Sequence, residues 1–272
     1  MESSTDNRRI GIIGTGAIAE AVVTGLCSKA DPPRGIVLSP RNKRRAARLA
    51  ERFPNVQIAS NNQAVIAESH IVFLAVRPQV VEDVLANLSF REDLLVVSLI
   101  AGCPITRLKT LVQPATTIVR MIPLPAIARR EGPILMSPPM QEIAAIFKDM
   151  GTLIQLEQED QLETLCAVTG LMAPYFGLLD KCVSWLTTNG INPSQAIEFV
   201  GALFAVLGST PIRFTDQDFR QLAREHATPQ GFNEQALREL AKAGWYRDVS
   251  DVLYLLRRRL CGEADFEDGI RR

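Results

Sequence analysis

The stretch RIGIIGTGAIAEAV, residues 9–22, decides the fold of this chain. It consists of a short apolar strand, a glycine-rich turn and the start of an apolar helix, with Gly14, Gly16 and Ala19 in the spacing G-x-G-x-x-A. In such a turn the first glycine permits the tight bend and the second lets the backbone approach a pyrophosphate, while a small third residue lets the helix pack on the sheet. Because the pattern follows a strand and opens a helix, it predicts a dinucleotide-binding turn.

The helix start and the second strand predict which dinucleotide is bound. The first helical residues, Ala17 and Ile18, present free N–H groups and a partial positive charge to the phosphates. The second strand ends in LSPR, with Ser39 and Arg41 where NAD-binding proteins usually carry an acid. A carboxylate would repel a 2′-phosphate, whereas a hydroxyl and a guanidinium bind it through charge-assisted hydrogen bonds. We therefore predict NADP(H), and interpret the basic run 43–45 mainly as a solvated helix face.

Alternation of strands and helices predicts an α/β Rossmann-type dinucleotide-binding domain over residues 1–156. Several strands are apolar without alternation, which is typical of a parallel sheet covered on both faces. Predicted strands span 9–13, 36–38, 71–74, 94–98, 117–121 and 152–154, and predicted helices span 17–29, 43–53, 62–68, 80–86 and 140–150.

Residues 157–272 carry only helical patterns and predict an all-α dimerisation domain. The segments 162–188 and 193–207 are apolar around most of the helix circumference, so they must be buried. A domain of this size cannot easily bury both internally, which favours an interface between two copies of the chain. A compact helical core that uses both segments is the alternative.

Composition excludes several classes of function. Lys plus Arg and Asp plus Glu both number 30, so no net charge favours nucleic acid or an anionic membrane. The cysteines are far apart, which argues against a metal site and a disulfide framework and suits a reducing compartment. The polar N-terminus carries no signal-peptide pattern, and the longest uncharged run, 164–179, is shorter than a membrane span of about 20 residues. We expect a soluble, cytoplasmic protein.

Several motifs together resemble the pyrroline-5-carboxylate reductase family. Besides the glycine motif and the Ser-x-Arg after the second strand, these are SNNQAV (60–65), LAVRPQ (74–79), SLIAG (98–102), VRMIPLPA (119–126) and TPQGFNEQAL (228–237). The resemblance spans nearly the whole chain. It implies an N-terminal domain that binds NAD(P)H, a helical domain that dimerises by interlocking, and an active site built from both subunits.

Position by position, the resemblance also implies cofactor contacts. Asn62 matches an asparagine near the adenosine ribose, and Ala101 and Gly102 lie where the backbone passes the nicotinamide end. A segment that runs along the cofactor is matched by Ala75, Val76, Arg77 and Pro78.

The substrate side departs from the family pattern in three segments. They are IPLP (122–125), GLMAPY (170–175) and PQGFN (229–233), where the family has Met-Pro-Asn-Thr-Pro, Gly-Ser-Gly-Pro-Ala-Tyr and Pro-Gly-Gly-Thr-Thr. Small and hydroxyl-bearing residues are replaced by bulkier or apolar ones. Because a site without partners for a polar substrate discriminates strongly against it, the substrate of this chain differs or is held differently.

Three side chains are candidates for chemistry. Asn233 replaces the family threonine that meets the substrate's ring nitrogen; its amide could bind an imine nitrogen or a carbonyl, or it could simply cap the following helix. The N–H groups of Gly231, Phe232 and Asn233 could hold a carboxylate. His226 could donate a proton near neutral pH, and Tyr175 could donate through its phenol, although both residue types are common in purely structural roles.

Three functions remain open from the sequence. The first is NADPH-dependent reduction of a C=N bond in a small cyclic imino acid, such as pyrroline-5-carboxylate to proline. The second is an NADP-dependent hydroxyacid or carbonyl dehydrogenase on the same two-domain plan, with His226 or Tyr175 as proton donor. The third is a non-catalytic NADP(H)-binding dimer.

Overall fold

The computed structural model of this chain describes residues 8–209 and 219–270. Contacts between Cα atoms divide the chain after Leu165 into two compact units. The first unit is an α/β domain and the second consists of helices.

An eight-stranded sheet forms the centre of the first unit, in the order β3-β2-β1-β4-β5-β6-β7-β8. All neighbouring strands are parallel except β6 and β7. The strands are β1 (Ile10–Ile13), β2 (Ile36–Leu38), β3 (Val56–Ile58), β4 (Ile71–Leu74), β5 (Leu95–Ser98), β6 (Ile118–Pro123), β7 (Pro133–Ser137) and β8 (Thr152–Gln155).

The predicted Rossmann-type architecture is confirmed, with two corrections to the strands. All six predicted strands are present, but β3 and β7 were not predicted, and β7 makes the sheet mixed. β3 is only three residues long and mostly exposed, and β7 begins with a proline after Gly132, so both segments read as turns or loops.

Helices cover both faces of the sheet, as the unalternating strands predict. Ile12 and Phe73 point to one face, where the Phe73 and Phe147 rings pack 5.8 Å apart. Leu74 points to the other face, toward a cluster that includes Leu108. The helices of this unit are α1 (Ala17–Cys27), α2 (Lys43–Arg52), α3 (Asn62–Ala67), α4 (Val81–Leu85), α5 (Ile105–Leu111) and α6 (Gln141–Ile146), with 3₁₀ turns at Pro78–Val80 and Pro125–Arg129.

The two units divide later in the sequence than the boundary predicted after residue 156. α7 (Asp160–Thr169) begins inside the first unit, because buried Arg120 of β6 pairs with Glu159 and Glu163, and Leu162 is fully buried. These contacts attach the start of α7 to the sheet domain.

The second unit contains no strand among its described residues, in agreement with the predicted all-α domain. Its further helices are α8 (Met172–Thr188), α9 (Pro193–Ser209), α10 (Phe219–His226), α11 (Phe232–Lys242) and α12 (Trp245–Leu260). α8 and α9 pack on each other, yet large apolar side chains on both remain exposed. The most exposed are Phe176 (68%), Trp185 (65%), Val206 (66%), Ile197 (61%) and Phe199 (61%). The alternative of a compact core that uses both helices is therefore wrong for the single chain.

One stretch, Asp160–Thr188, is long and apolar enough to cross a membrane when judged by length and composition alone. The uncharged run 164–179, which is shorter than a membrane span, lies inside this stretch. The helical stretch extends beyond the run at both ends, so the expectation based on the run alone is corrected. A turn at Gly170 and Leu171 separates it into α7 and α8.

Candidate functional site

The glycine-rich turn lies where β1, β2 and β4 end side by side. Gly14 has a φ of +96°, and a Cβ there would lie only 2.7 Å from the carbonyl oxygen of Ala75. The Gly14 N–H donates to Ser39 Oγ at 2.9 Å, and Thr15 Oγ1 donates to the Ser39 carbonyl at 3.0 Å. Glycine is therefore required at position 14 by backbone conformation and by the close approach of β4.

Ser39 makes hydrogen bonds to the glycine-rich turn. Its side chain is fully buried, and its hydroxyl accepts from Gly14 N while lying 3.3 Å from Thr15 Oγ1. Since Thr15 uses its own hydrogen for the Ser39 carbonyl, the Ser39 hydroxyl is left to donate to Thr15 Oγ1. The hydroxyl thus holds the turn in place, and its contact with a 2′-phosphate stays a prediction.

Gly16 differs from Gly14 because packing within the protein does not require it. Its φ of −86° is accessible to any residue, and a Cβ there would have Ala75 O as its nearest neighbour, at 3.9 Å. A side chain at this position would occupy the open space at the N-terminus of α1. The glycine is explained by close approach of a ligand such as a pyrophosphate, whose charge the helix terminus favours.

Two adjoining clefts open beside this turn, with volumes of about 680 and 570 Å³. They share Gly16, Asn42 and a backbone stretch after β4 (residues 75–77). The first is also lined by Gly14, Thr15, Arg41, Lys43 and Val80, and the second by Ala17, Ile18, Arg45, Pro78, Leu99, Ile100 and Ala101.

Three cations at the clefts have no acidic partner among the described residues. They are Arg41 and Lys43, which flank the start of α2, and Arg77, which follows β4. Arg45, by contrast, pairs with Glu20 at 3.3 Å. The unpaired cations make this end of the clefts suitable for a phosphate group.

Most of the predicted cofactor residues lie at these clefts, and three do not. Ser39 is buried behind the turn, Asn62 begins α3 and lines neither cleft, and Gly102 (φ +66°) follows the lining residue Ala101. The residues brought together are Gly14, Gly16, Ala17, Ile18, Arg41, Ala75, Val76, Arg77, Pro78 and Ala101.

Sequence reasoning missed several lining residues. Lys43 and Arg45 were interpreted as a solvated helix face, although basic residues at a helix N-terminus oppose the helix dipole and thereby signal a function. Asn42 caps α2 by accepting from Arg45 N at 3.3 Å. Thr15 lies between the two motif glycines, where the G-x-G pattern accepts any residue.

The loop before α11 differs from its predicted geometry. The helix begins after Gly231, so Asn233 is not its N-cap. The Asn233 amide instead donates to the His226 carbonyl at 3.2 Å, which ties α11 to the end of α10. The Gly231 N–H donates to Thr228 O at 2.8 Å and is not available for a carboxylate. The N–H groups of Phe232 and Asn233, in the first turn of α11, remain candidates for that role.

His226 and Gln230 show how this loop is held. His226 Nδ1 lies 2.8 Å from the Leu222 carbonyl, so Nδ1 carries a hydrogen and Nε2 is left as the exposed nitrogen. Gln230 has a left-handed φ of +60° where the family pattern has glycine, a conformation that costs a non-glycine residue about 1–2 kcal/mol. Its N–H donates to Glu234 at 2.8 Å, which stabilises the turn.

Tyr175 lies in α8 and is 43% exposed. Its ring packs edge-on against Phe176 and Phe204, at centroid distances of 5.3 and 6.1 Å. The structure therefore gives Tyr175 an aromatic packing role, and its proposed proton transfer stays a prediction.

The described residues contain no cluster of metal ligands, and burial makes two of the thiols less reactive. Within residues 8–209 and 219–270, no group of three or more His, Cys, Asp or Glu side chains could hold a metal ion. Burial raises the pKa of Cys27 to about 11, which keeps that thiol protonated at neutral pH. Burial also raises the pKa of Cys103, beyond the loop at Ala101.

Comparison with known proteins agrees with this geometry. Residues 9–102 match the family model "NADP oxidoreductase coenzyme F420-dependent". The chain is 24% identical over 248 residues to a pyrroline-5-carboxylate reductase of Corynebacterium melassecola, covering 86% of this chain and 91% of that protein. The predicted resemblance to this group of reductases is confirmed.

Solved structures share the fold at lower identity. The 1-pyrroline-5-carboxylate reductase of Streptococcus pyogenes has a TM-score of 0.80 at 22% identity, covering 94% of this chain and 98% of that one. The NADP-bound pyrroline carboxylate reductase of Plasmodium falciparum has a TM-score of 0.77 at 18% identity, with 96% and 99% coverage. A reductive aminase of Aspergillus terreus in complex with NADPH and ethyl levulinate has a TM-score of 0.59 at 17% identity, with 93% and 92% coverage.

We predict that alanine at Gly16 weakens NADPH binding, whereas alanine at Gly14 lowers the stability of the fold. Gly16→Ala keeps the free energy of unfolding but weakens NADPH binding by about 1–3 kcal/mol, because the methyl group fills space needed by the ligand. Gly14→Ala loses about 2 kcal/mol or more of stability, through its left-handed φ and its overlap with Ala75. Thermal unfolding and titration of NADPH fluorescence measure the two effects. An equal loss of stability in both variants would contradict the assignment of Gly16 to a ligand.

Proposed function

We propose that this chain, a divergent relative of the pyrroline-5-carboxylate reductases, is an NADPH-dependent reductase of a C=N bond in a small cyclic imino acid. The observation that supports the cofactor is Gly16, which no contact among the described residues requires to be glycine, beside three cations without acidic partners among those residues. The similarity to pyrroline-5-carboxylate reductases supports the reaction. The named relatives favour pyrroline-5-carboxylate, whereas the altered substrate segments favour a related imine or a differently held substrate.

The clefts fit NADP(H) by size and charge. The pyrophosphate matches the open space at Gly16 and the N-terminus of α1. The 2′-phosphate matches the unpaired guanidinium of Arg41, with Lys43 and Arg77 beside it. The loop 99–101 lines the second cleft but not the first, which Arg41 and Lys43 line, and it suits the nicotinamide.

When bound in the clefts, NADPH would supply a hydride to the carbon of the C=N bond. A protonated imine already carries the electrophilic charge, so hydride addition gives the amine without a second proton transfer. The protein's main task is then to position the reactants and exclude water, which explains the lack of an acid–base pair in the clefts. A neutral imine must first gain a proton, and the exposed Nε2 of His226 is the candidate carrier.

The loop before α11 supplies candidate substrate contacts. The first-turn N–H groups at Phe232 and Asn233 face outward from a helix N-terminus, where they favour a carboxylate. The Asn233 amide uses one hydrogen of Nδ2 for the His226 carbonyl, and its oxygen can accept a hydrogen bond from the N–H group of a protonated imine. A family threonine hydroxyl and this amide oxygen both accept a hydrogen bond from an N–H group.

A hydroxyacid or carbonyl dehydrogenase is the second candidate. Reduction of a carbonyl produces an alkoxide that needs a proton donor, and the His226 imidazole is the observation in its favour. A non-catalytic NADP(H)-binding protein is the third, and it would bind NADPH without turnover.

The assembly we propose is a cytoplasmic homodimer formed through the helical unit. The support is the row of large apolar side chains on α8 and α9 that the chain itself leaves exposed. Exposed apolar patches of this kind are typical of subunit interfaces.

With NADPH and pyrroline-5-carboxylate, we expect the purified protein to consume NADPH faster than with any ketone of similar size. The reason is that an iminium substrate needs no proton donor during hydride transfer. The measurement is the decrease of absorbance at 340 nm over a panel of cyclic imines and 2-oxo acids, with His226→Ala in parallel. Ketone reduction that disappears in His226→Ala would favour the dehydrogenase, and tight NADPH binding without any turnover would favour the non-catalytic protein.

Substitutions at Arg41 and Ser39 separate 2′-phosphate recognition from support of the turn. We expect Arg41→Asp to weaken NADPH binding about 10- to 100-fold, the size of a lost charged hydrogen bond, and to leave NADH binding nearly unchanged. Ser39→Ala removes the acceptor of Gly14 N, so it should lower stability by about 1–3 kcal/mol and weaken both cofactors equally. Dissociation constants of NADPH and NADH test this prediction. A Ser39→Ala variant that loses affinity for NADPH but not for NADH would contradict the role of Ser39 in supporting the turn.

Introducing a charge on α9 tests the dimer. We expect Phe199→Asp to convert the dimer to a monomer, because the carboxylate would lie in an apolar interface. Gln235→Asp adds the same charge to the exposed face of α11 and should leave the dimer intact. Size-exclusion chromatography with light scattering gives the masses, and a monomeric wild type would overturn the proposal.

A further inference from the structure

A buried ion-pair cluster lies behind the loop that we assign to the nicotinamide. Arg120 on β6 is 1% exposed, and its Nη1 lies 2.8 Å from Glu159 Oε1 and 2.8 Å from Glu163 Oε1. Its Nε and Nη2 have no hydrogen-bond partner among the described residues. The two carboxylates therefore supply the charge compensation that a buried guanidinium needs.

One of the two carboxylates has a second task. Glu159 Oε1 also accepts from the Ile105 N–H at 2.7 Å. Ile105 is the first residue of α5, whose N-cap position is Pro104 and has no side-chain cap of its own. A residue 54 positions away thus stabilises the start of this helix.

This contact fixes one end of the loop that lines the second cleft. The loop leaves β5 at Ser98, which is the register neighbour of Arg120, and passes through residues 99–101 and the left-handed Gly102 to α5. Its first end is set by the sheet and its second end by Glu159. Arg120 orients the carboxylate that holds the second end.

We propose that Arg120 and Glu159 are positioning residues that fix the nicotinamide loop 99–104 for hydride transfer. This inference rests on the proposed function in one respect, the assignment of that loop to the nicotinamide. Glu163 is the internal control, because it pairs with the same guanidinium and, among the described residues, makes no hydrogen bond to the loop.

The first test measures the loop without any substrate. In Glu159→Ala, we expect hydrogen–deuterium exchange of peptides covering 99–105 to be at least several-fold faster than in the wild type, since the Ile105 N–H loses its acceptor. In Glu163→Ala, we expect a lower unfolding temperature with the exchange of these peptides unchanged. Equal exchange in both variants would overturn the proposal, whether or not the enzyme is active on imines.

The second test measures catalysis. With an imine that the wild type reduces, Glu159→Ala should lower kcat about 10-fold or more while KM for NADPH changes little, because misplacement affects the reacting end of the cofactor and the phosphate contacts remain. Glu159→Gln keeps an acceptor oxygen and should restore most of kcat. NADPH deuterated at the transferred hydrogen should show a larger isotope effect in Glu159→Ala than in the wild type.

The proposed imine reduction and the positioning role of Glu159 can be tested separately. If Glu159→Ala does not fold, Glu159→Asp keeps the charge but shortens the reach to Ile105, and faster exchange at 99–105 is then expected; wild-type exchange there would contradict the proposal. A wild type that reduces no imine counts against the proposed function, and the exchange measurement still decides the positioning role. An unchanged kcat in Glu159→Ala with a loosened loop would overturn the catalytic part of the inference.

Discussion

The close approach of the β1–α1 turn to the ends of β2 and β4 is the constraint on which the cofactor site depends. Gly14 can adopt its left-handed φ beside the Ala75 carbonyl only because it has no side chain. The hydroxyl of Ser39 then holds the turn through the Gly14 N–H. With the turn fixed in this way, the N-terminus of α1 faces the open space at Gly16, where an anionic group gains from the helix dipole and free N–H groups.

Basic residues at the start of α2 add positive charge beside the glycine-rich turn. The first turn of α2 carries basic residues and no acid, an arrangement that the helix dipole disfavours. Arg45 is compensated by Glu20, whereas Arg41 and Lys43 have no acidic partner among the described residues. A phosphate bound between them would offset this local excess of positive charge.

The helical unit differs from the sheet domain in the exposure of its apolar side chains. Its longest helices carry large apolar side chains that remain exposed in the single chain, and this exposure is the support for the proposed homodimer. The loop before α11 keeps a left-handed residue at the position of a family glycine, now Gln230, and is held by Asn233 and Glu234. A glycine, as in the family pattern, would adopt this left-handed conformation without strain.

The sequence by itself determined the Rossmann-type plan and the cofactor end of the site, because those signals are local. A strand, Gly14, Gly16 and a helix start lie within a few residues, and their meaning does not depend on distant parts of the chain. β3 and β7 escaped prediction because a short, mostly exposed strand and a strand beginning with proline lack the usual pattern.

Only the tertiary structure decided the roles that depend on contacts between distant residues. Ser39 serves the turn 25 positions earlier, and Glu159 caps the helix that begins at Ile105. Asn233 contacts His226 across a loop and does not cap its own helix. The physical reason is that a polar side chain can serve any donor or acceptor within reach, and only folding selects which one is there.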